Sequence, residues 1–166
     1  MSRHVIRPVL NGSETEVAVE ARTTLAEMLR TELGLTGTKV SCQAQICGSC
    51  TVLVDGRPVS SCTYLGVDTD GREVTTIEGI GTDDELDVVQ KAFVDAGAIQ
   101  CGYCTPGFVL AVKALLARNP DPSMEQAKHF LDGNICRCTG YEQILTAVLA
   151  AARKIQQGTN TPEVTA

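Results

Sequence analysis

The eight cysteines of this chain divide into two groups of four, and none is left over. The first group comprises Cys42, Cys47, Cys50 and Cys62, in the pattern C-x4-C-x2-C-x11-C. The second group comprises Cys101, Cys104, Cys136 and Cys138, in the pattern C-x2-C-x31-C-x-C. Thiolates bind soft metals and also form disulfides, so the spacing within each group indicates which chemistry it supports.

The first group has the spacing of plant-type ferredoxins, in which four thiolates hold a [2Fe–2S] cluster. We therefore predict a [2Fe–2S] cluster on these four cysteines. The second group leaves iron–sulfur and zinc open, because a C-x2-C pair is also common in structural zinc sites. A Rieske cluster needs two histidine ligands, whereas His4 and His129 stand outside both cysteine patterns.

Disulfides are the weaker interpretation of the cysteines, because disulfide scaffolds are mostly short secreted chains. This chain has 166 residues, of which 43% are hydrophobic, and a chain of this size forms a core without cross-links. The basic residues near Met1 lead into no apolar stretch of the kind found in secretory signals. We expect a reducing, cytoplasmic location, where thiols bind metal.

Charge and motif content disfavour several function classes. The net charge is −6 and the pI is about 4.9, so the basic surface that nucleic-acid binding requires is missing. No apolar run is long enough to span a membrane. The sequence also lacks a glycine-rich dinucleotide motif, a P-loop and a convincing acid/base pair of carboxylates. We therefore expect no catalytic residue for an organic substrate on this chain.

Up to about residue 80 the pattern is typical of strands. Strands are predicted at 5–10, 16–20, 51–54, 57–62 and 74–77. Asn11-Gly12 and Asp55-Gly56 are hairpin turn signals. Thr24 and Glu27 have capping-box spacing, which predicts a helix through about residue 31.

After residue 80 the apolar period changes from two to about 3.6, which predicts four helices. Apolar faces mark the first, second and fourth of these helices, at 86–93, 108–116 and 144–152. Asp83 or Asp84 is the expected N-cap of the first helix, and Ser123 begins a capping box for the third, which Gly133-Asn134 should stop. The fold class is α+β, with domains at 1–80 and 81–156 and a loose tail at 157–166.

The two halves of the second cysteine group have similar surroundings. Cys104-Thr105 and Cys138-Thr139 each lead through glycine and an aromatic residue into an apolar helix, so two helical hairpins could bring two thiolates each to one cluster. Both threonines are also candidate N-caps. Arg137 either offsets cluster charge or faces solvent. Gly48 and Gly102 lie inside cysteine motifs, where positive φ and close backbone approach are expected.

Three motifs together resemble a known family. They are Cys42-Gln-Ala-Gln-Ile-Cys47-Gly-Ser-Cys50, Gln100-Cys101-Gly-Tyr-Cys104-Thr-Pro-Gly107 and Gly133-Asn-Ile-Cys136-Arg-Cys138-Thr-Gly-Tyr141. In this order they resemble the small iron–sulfur subunit of molybdenum hydroxylases, the family of xanthine dehydrogenase, aldehyde oxidoreductase and carbon monoxide dehydrogenase. The resemblance extends over residues 3–155.

The resemblance implies a ferredoxin-like β-grasp domain followed by a four-helix bundle, each with one [2Fe–2S] cluster. The first cysteine group would hold the cluster nearer the flavin, and the second group the cluster nearer molybdenum. A large subunit would carry molybdopterin, expected as the cytosine dinucleotide, and a medium subunit would carry FAD. Single electrons would pass from molybdopterin through both clusters to FAD or another acceptor, in a heterotrimer that dimerises.

The resemblance also implies roles for single residues. Gln100 and Cys138 would contact molybdopterin. Ser41 and Gln45 stand where glycine or another small residue is usual, so the first loop should differ in backbone geometry and in its N–H···S hydrogen bonds. The sequence keeps two alternatives to the hydroxylase subunit, a free-standing ferredoxin-like carrier and a structural zinc protein.

Overall fold

The computed structural model describes residues 2–82 and 84–158. Its strands are β1 (Arg3–Ile6), β2 (Val9–Leu10), β3 (Ser13–Glu14), β4 (Val17–Glu20), β5 (Thr51–Val54), β6 (Arg57–Ser60) and β7 (Glu73–Thr75). Its α-helices are α1 (Leu25–Glu27), α2 (Val88–Asp95), α3 (Thr105–Arg118), α4 (Met124–Leu131) and α5 (Glu142–Gln156). A π-helical turn, Met28–Glu32, continues α1, and 3-10 turns lie at Gly66–Thr69 and Ile77–Gly79. The prediction of a mixed architecture of strands and helices is confirmed.

The strands form two sheets. β1 pairs with β4, and the other strands form a sheet in the order β3-β2-β7-β5-β6, in which only the β2–β7 pair is parallel among the described strands. The first predicted hairpin is confirmed: Asn11 and Gly12 have φ of 50° and 78°, as a type I′ turn requires. The predicted strand at 5–10 is split, because Arg7 and Pro8 lie between β1 and β2 and proline has no N–H for pairing.

Strand β5 connects two hydrophobic cores. Val52 and Val54 pack into the core between the sheets and α1, whereas Leu53 packs into the core of helices α2 to α5. Successive strand side chains point to opposite faces, so an all-buried strand can serve both cores. The loop that carries Cys47 and Cys50 leads directly into β5 and is therefore anchored between the two cores.

The predicted helices are present, with one corrected start. Ser123 begins α4 with a complete capping box, as expected. Helix α2 is capped by Asp87, not by Asp84, and Asp83 lies outside the described residues. Leu86 is 46% exposed, so the apolar face begins later than predicted. Asp87 is held in place because it also pairs with the buried ammonium of Lys113, at 2.7 Å.

The other differences between the predicted and the observed elements lie at the ends of those elements. The strand predicted at 57–62 ends at Ser60, where the amide of Thr63 donates to the carbonyl of Ser60 and turns the chain. Helix α5 ends at Gln156. Of the tail predicted at 157–166, residues 159–166 lie outside the described residues. No helix in the described ranges is both long and apolar enough to cross a membrane.

Candidate metal centres

The β5–β6 hairpin brings two cysteines of the first group together. Cys50 precedes β5 and Cys62 follows β6, and both are buried. The hydroxyl of Ser61 donates to the carbonyl of Cys50 at 2.7 Å. Burial, together with the neighbouring thiol of Cys62, raises the pKa of Cys50 to about 11. A buried thiol of this kind needs a metal to deprotonate it near neutral pH.

The loop before Cys47 wraps its backbone amides around the sulfur of Cys42. The amides of Ala44, Ile46 and Cys47 each lie 3.4 Å from this Sγ. These hydrogen bonds lower the pKa of Cys42 to about 6, because donors stabilise the thiolate.

Two glutamines give this loop its inward curl. Gln43 and Gln45 have φ of 54° and 57°, a left-handed conformation that costs side-chain-bearing residues about 1–2 kcal/mol each. Gln45 also accepts a hydrogen bond from the hydroxyl of Thr63, next to Cys62. The sequence singled out Gln45 but not Gln43, since a positive φ leaves no signature of its own in a glutamine.

The second group forms two sulfur pairs. The Sγ atoms of Cys138 and Cys101 lie 3.6 Å apart. Burial raises the pKa of Cys104 to about 12, with further contributions from Cys136 and Cys101. Hydrogen bonding between the thiols of Cys138 and Cys101 raises the pKa of Cys138. The topology therefore brings the C-x2-C and C-x-C motifs together across 31 intervening residues.

Cys136 differs from Cys104 and Cys138, because its pKa is lowered. Its burial opposes this, but hydrogen bonds from the hydroxyl of Thr139 at 3.1 Å, and from the amides of Thr139 and Cys138 at 3.4 and 3.5 Å, outweigh it. The side chain of Thr139 thus donates its hydrogen bond to the sulfur of Cys136 and caps no helix. The prediction that Thr105 and Thr139 are N-caps is wrong: Cys104 and Tyr141 occupy those positions.

The glycines and Arg137 behave as the motifs suggest. Gly48 and Gly102 have φ of 65° and 80°, which confirms that these positions need left-handed backbone. Arg137 is exposed, so the solvent-facing alternative holds. Gln100 and Cys138 are also exposed, and both lie beside other cysteines of the second group.

The segments that carry the two cysteine groups meet through hydrogen bonds to backbone carbonyls. The amide of Ile135 donates to the carbonyl of Cys47 at 2.9 Å. The side chain of Asn134 donates to the carbonyl of Gly48 at 3.1 Å, and the hydroxyl of Tyr103 donates to the carbonyl of Val40 at 2.6 Å. Sequence reasoning took Asn134 as part of a helix stop and of the third family motif but gave it no contact, because nothing in a single chain marks a contact between segments this far apart.

The donor sets fit [2Fe–2S] clusters. Each group offers four sulfurs, and Cys42 and Cys136 receive the N–H donors that a negatively charged thiolate cluster requires. Within residues 2–82 and 84–158, no three His, Cys, Asp or Glu side chains converge on a position suited to a single metal ion. Sulfurs arranged in pairs are what two irons, each with two protein thiolates, would use.

Two family models match the chain, one for each cysteine group. One, described as a 2Fe-2S iron-sulfur cluster binding domain, matches residues 9–77. The other, described as a [2Fe-2S] binding domain, matches residues 76–149. The second match decides between the two metals that the spacing left open, in favour of iron–sulfur.

Similar proteins cover nearly the whole chain. It is 42% identical over 154 residues to the "Nicotinate dehydrogenase small FeS subunit" of Eubacterium barkeri, covering 93% of this chain and 98% of the relative. It is 46% identical over 146 residues to the "Nicotine 6-hydroxylase small subunit" of Paenarthrobacter nicotinovorans, covering 88% of each.

A solved structure agrees with the sequence comparison. A chain of quinoline 2-oxidoreductase from Pseudomonas putida 86 superposes with a TM-score of 0.91 at 40% identity, covering 96% of this chain and 100% of that one. The cysteine pattern, the two matched models and these relatives agree. The chain belongs to the family of small [2Fe–2S] iron–sulfur subunits of molybdenum hydroxylases, an oxidoreductase family.

Proposed function

We propose that this chain is the electron-transfer subunit of a molybdenum hydroxylase. It would pass single electrons from a molybdopterin site, through two [2Fe–2S] clusters, to FAD or another acceptor. Cys42, Cys47, Cys50 and Cys62 would ligate the cluster nearer the flavin. Cys101, Cys104, Cys136 and Cys138 would ligate the cluster nearer molybdenum. When bound, each cluster stores and releases one electron.

One observation carries this proposal: the hydrogen bond from the amide of Ile135 to the carbonyl of Cys47, at 2.9 Å. Ile135 immediately precedes Cys136 in the chain. The hydrogen bond therefore joins Cys47, a ligand in the first group, to the residue next to Cys136, a ligand in the second group. Two electron carriers in series must lie close together, and this hydrogen bond holds the two ligand segments against each other. The chain's residues would thus fix the order and spacing of the carriers.

The exposed residues near the two cysteine groups suggest a different partner subunit for each group. Gln100 and Cys138 are exposed beside the second group, where a large subunit would present molybdopterin, expected as the cytosine dinucleotide. Ile46 is 63% exposed in the first loop, and a medium subunit with FAD would cover it. Relatives named as gamma, beta and small subunits support such an assembly. We propose a dimer of heterotrimers in the cytoplasm.

We also propose the finer architecture that the family implies. Residues 1–80 would form a ferredoxin-like β-grasp domain, and residues 81–156 a four-helix bundle. Support comes from the separate hydrophobic cores around α1 and around α2 to α5. The two family models also meet at residues 76–77.

Purification of the native protein with its metals tests the proposed function. We expect the chain to co-purify with a larger subunit that contains molybdenum, and its clusters to be reduced when substrate of that complex is added. A chain that purifies alone, with iron but without molybdenum, would instead identify a free-standing ferredoxin-like carrier. Zinc in place of iron would contradict both functions.

Gln100→Ala is expected to slow reduction of the clusters by the molybdenum subunit severalfold, because one polar contact between protein and cofactor is lost. Iron content should not change, since Gln100 is not a ligand in this proposal. Stopped-flow absorbance of the complex measures the rate. Gln156→Ala is the matched control, because Gln156 lies at the far end of α5. Equal rates in wild type and Gln100→Ala would show that Gln100 has no part in electron delivery.

Thr139→Val is expected to lower the reduction potential of the second cluster. The hydroxyl of Thr139 donates to Cys136 at 3.1 Å, and such a bond stabilises the more negative, reduced cluster. Losing about 1 kcal/mol corresponds to roughly 40 mV for one electron. An EPR-monitored redox titration measures it. Thr105→Val is the control, because Thr105 follows Cys104 in the same way and, among the described residues, its hydroxyl reaches no sulfur. If the second cluster had the same reduction potential in Thr139→Val and Thr105→Val, the hydroxyl of Thr139 would have no role in setting that potential.

A further inference from the structure

We propose that Asn134 is a positioning residue that fixes the contact between the two cluster sites. The inference rests on the proposed function, because it concerns the spacing of two electron carriers. Asn134 neither precedes nor follows a cysteine directly. It acts through Gly48 in the first loop and through Ile135 in the second, whose amide makes the hydrogen bond to Cys47.

The side-chain nitrogen of Asn134 donates to two acceptors close to the first cysteine group. Its Nδ2 lies 3.1 Å from the carbonyl oxygen of Gly48 and 3.3 Å from Oγ1 of Thr51. Thr51 in turn donates its hydroxyl to the same carbonyl at 2.7 Å. Asn134 is only 8% exposed, and buried polar groups of this kind are costly unless they are paired. The three groups therefore hold one another in a single arrangement.

The backbone of Asn134 is fixed as well. Its amide donates to the carbonyl of Leu131 at 2.9 Å, at the end of α4. The backbone of Asn134 is thus held by the end of α4, and its side chain is hydrogen-bonded to the loop that carries the first cysteine group. The next amide along the chain, that of Ile135, is then directed at Cys47. Because Asn134, Ile135 and Cys136 follow one another in the chain, the contact made by the side chain of Asn134 also fixes the distance between Cys136 and Cys47.

Glycines at the junction show how closely the two segments approach. A Cβ on Gly48 would collide with the carbonyl of Gly133 and with the amide group of Asn134. A Cβ on Gly107, in the first turn of α3, would collide with the carbonyl of Gly48. The segments therefore meet backbone to backbone, and the side-chain nitrogen of Asn134 bridges the acceptors of Gly48 and Thr51 at this junction.

Asn134→Asp tests the proposal with almost no change in shape. A carboxylate offers no donor to Gly48, and it places oxygen against oxygen. We expect the amide hydrogen of Ile135 to exchange roughly five- to thirtyfold faster, as the loss of one or two net hydrogen bonds implies. In the reduced complex we expect the spin–spin splitting between the two clusters to narrow, because dipolar coupling falls with the cube of their separation. A purely structural residue would leave that splitting unchanged.

Two further variants keep the test decisive. Thr51→Val removes one acceptor and leaves Asn134 in place, so it should produce the same two changes to a smaller extent. It serves as the test if Asn134→Asp does not fold. Asn119→Asp is the control, because Asn119 caps the opposite end of α3, about 20 Å from its first turn. It should change neither exchange at Ile135 nor the splitting.

The outcomes separate this inference from the proposed function. Unchanged splitting and unchanged exchange in Asn134→Asp and Thr51→Val would overturn the positioning role. Absence of two EPR signals in the wild-type complex would overturn the proposed function instead. Hydrogen exchange at Ile135 does not depend on the clusters' signals, so it would still decide whether Asn134 holds the contact.

Discussion

Cys47→Ser is expected to abolish one [2Fe–2S] cluster and leave the other in place. The cysteines of the first group lie in the loop around β5 and β6, whereas those of the second lie among the helices. A serine hydroxyl is a poor substitute for the soft thiolate that iron–sulfur clusters require. Iron should therefore fall from about four to about two per chain, and one of two EPR signals should disappear.

The reciprocal variant controls for general damage. Cys136→Ser should remove the other signal and spare the one lost in Cys47→Ser. Because Cys47 is hydrogen-bonded to Ile135 through its backbone carbonyl, its side chain can change without breaking that contact. Loss of both signals from each variant would show that the two sites do not form independently.

Gly48→Ala is expected to be strongly destabilising, for two reasons. Gly48 has a φ of 65°, which costs alanine about 1–2 kcal/mol. A Cβ there would also collide with Gly133 and Asn134, and overpacking of this kind costs about 1–3 kcal/mol more. The protein should therefore lose roughly 2–5 kcal/mol of stability. Denaturant unfolding followed by visible absorbance of the clusters measures this loss.

Gly34→Ala isolates the effect of the close approach. Gly34 has a similar φ of 70°, but a Cβ on it would meet nothing within 4 Å. This variant should cost only about 1–2 kcal/mol. Equal losses of stability in both alanine variants would mean that the cysteine loop and the Gly133-Asn134 segment are not tightly packed, and would count against the positioning role of Asn134.

Local features of the fold could be predicted from the sequence because their physics is local. The Asn11-Gly12 turn needs two left-handed residues in succession, and the capping boxes at Thr24 and Ser123 involve residues three apart. The cysteine spacing belongs to the same class, because a ligand loop must curl around its cluster. These features indicated the candidate ligands and the mixed architecture.

Contacts between distant segments could not be predicted in this way. The ion pair between Asp87 and Lys113, which lie 26 residues apart, has no signal in the sequence, although the capping-box spacing of Asp87 and Gln90 does mark the start of α2 locally. Asn134 reaches Gly48 across 86 residues, and its neighbours in sequence say nothing of that partner. Thr139 looked like a helix cap, because a threonine beside a cysteine does not reveal that its hydroxyl turns to the sulfur.

Spin quantitation of the reduced native complex tests most directly whether each cysteine group holds its own [2Fe–2S] cluster and whether the two lie close enough to exchange electrons. We predict two distinct EPR signals, each integrating to about one spin per chain, that broaden each other when both clusters are reduced. A single signal, or zinc without any signal, would contradict this assignment.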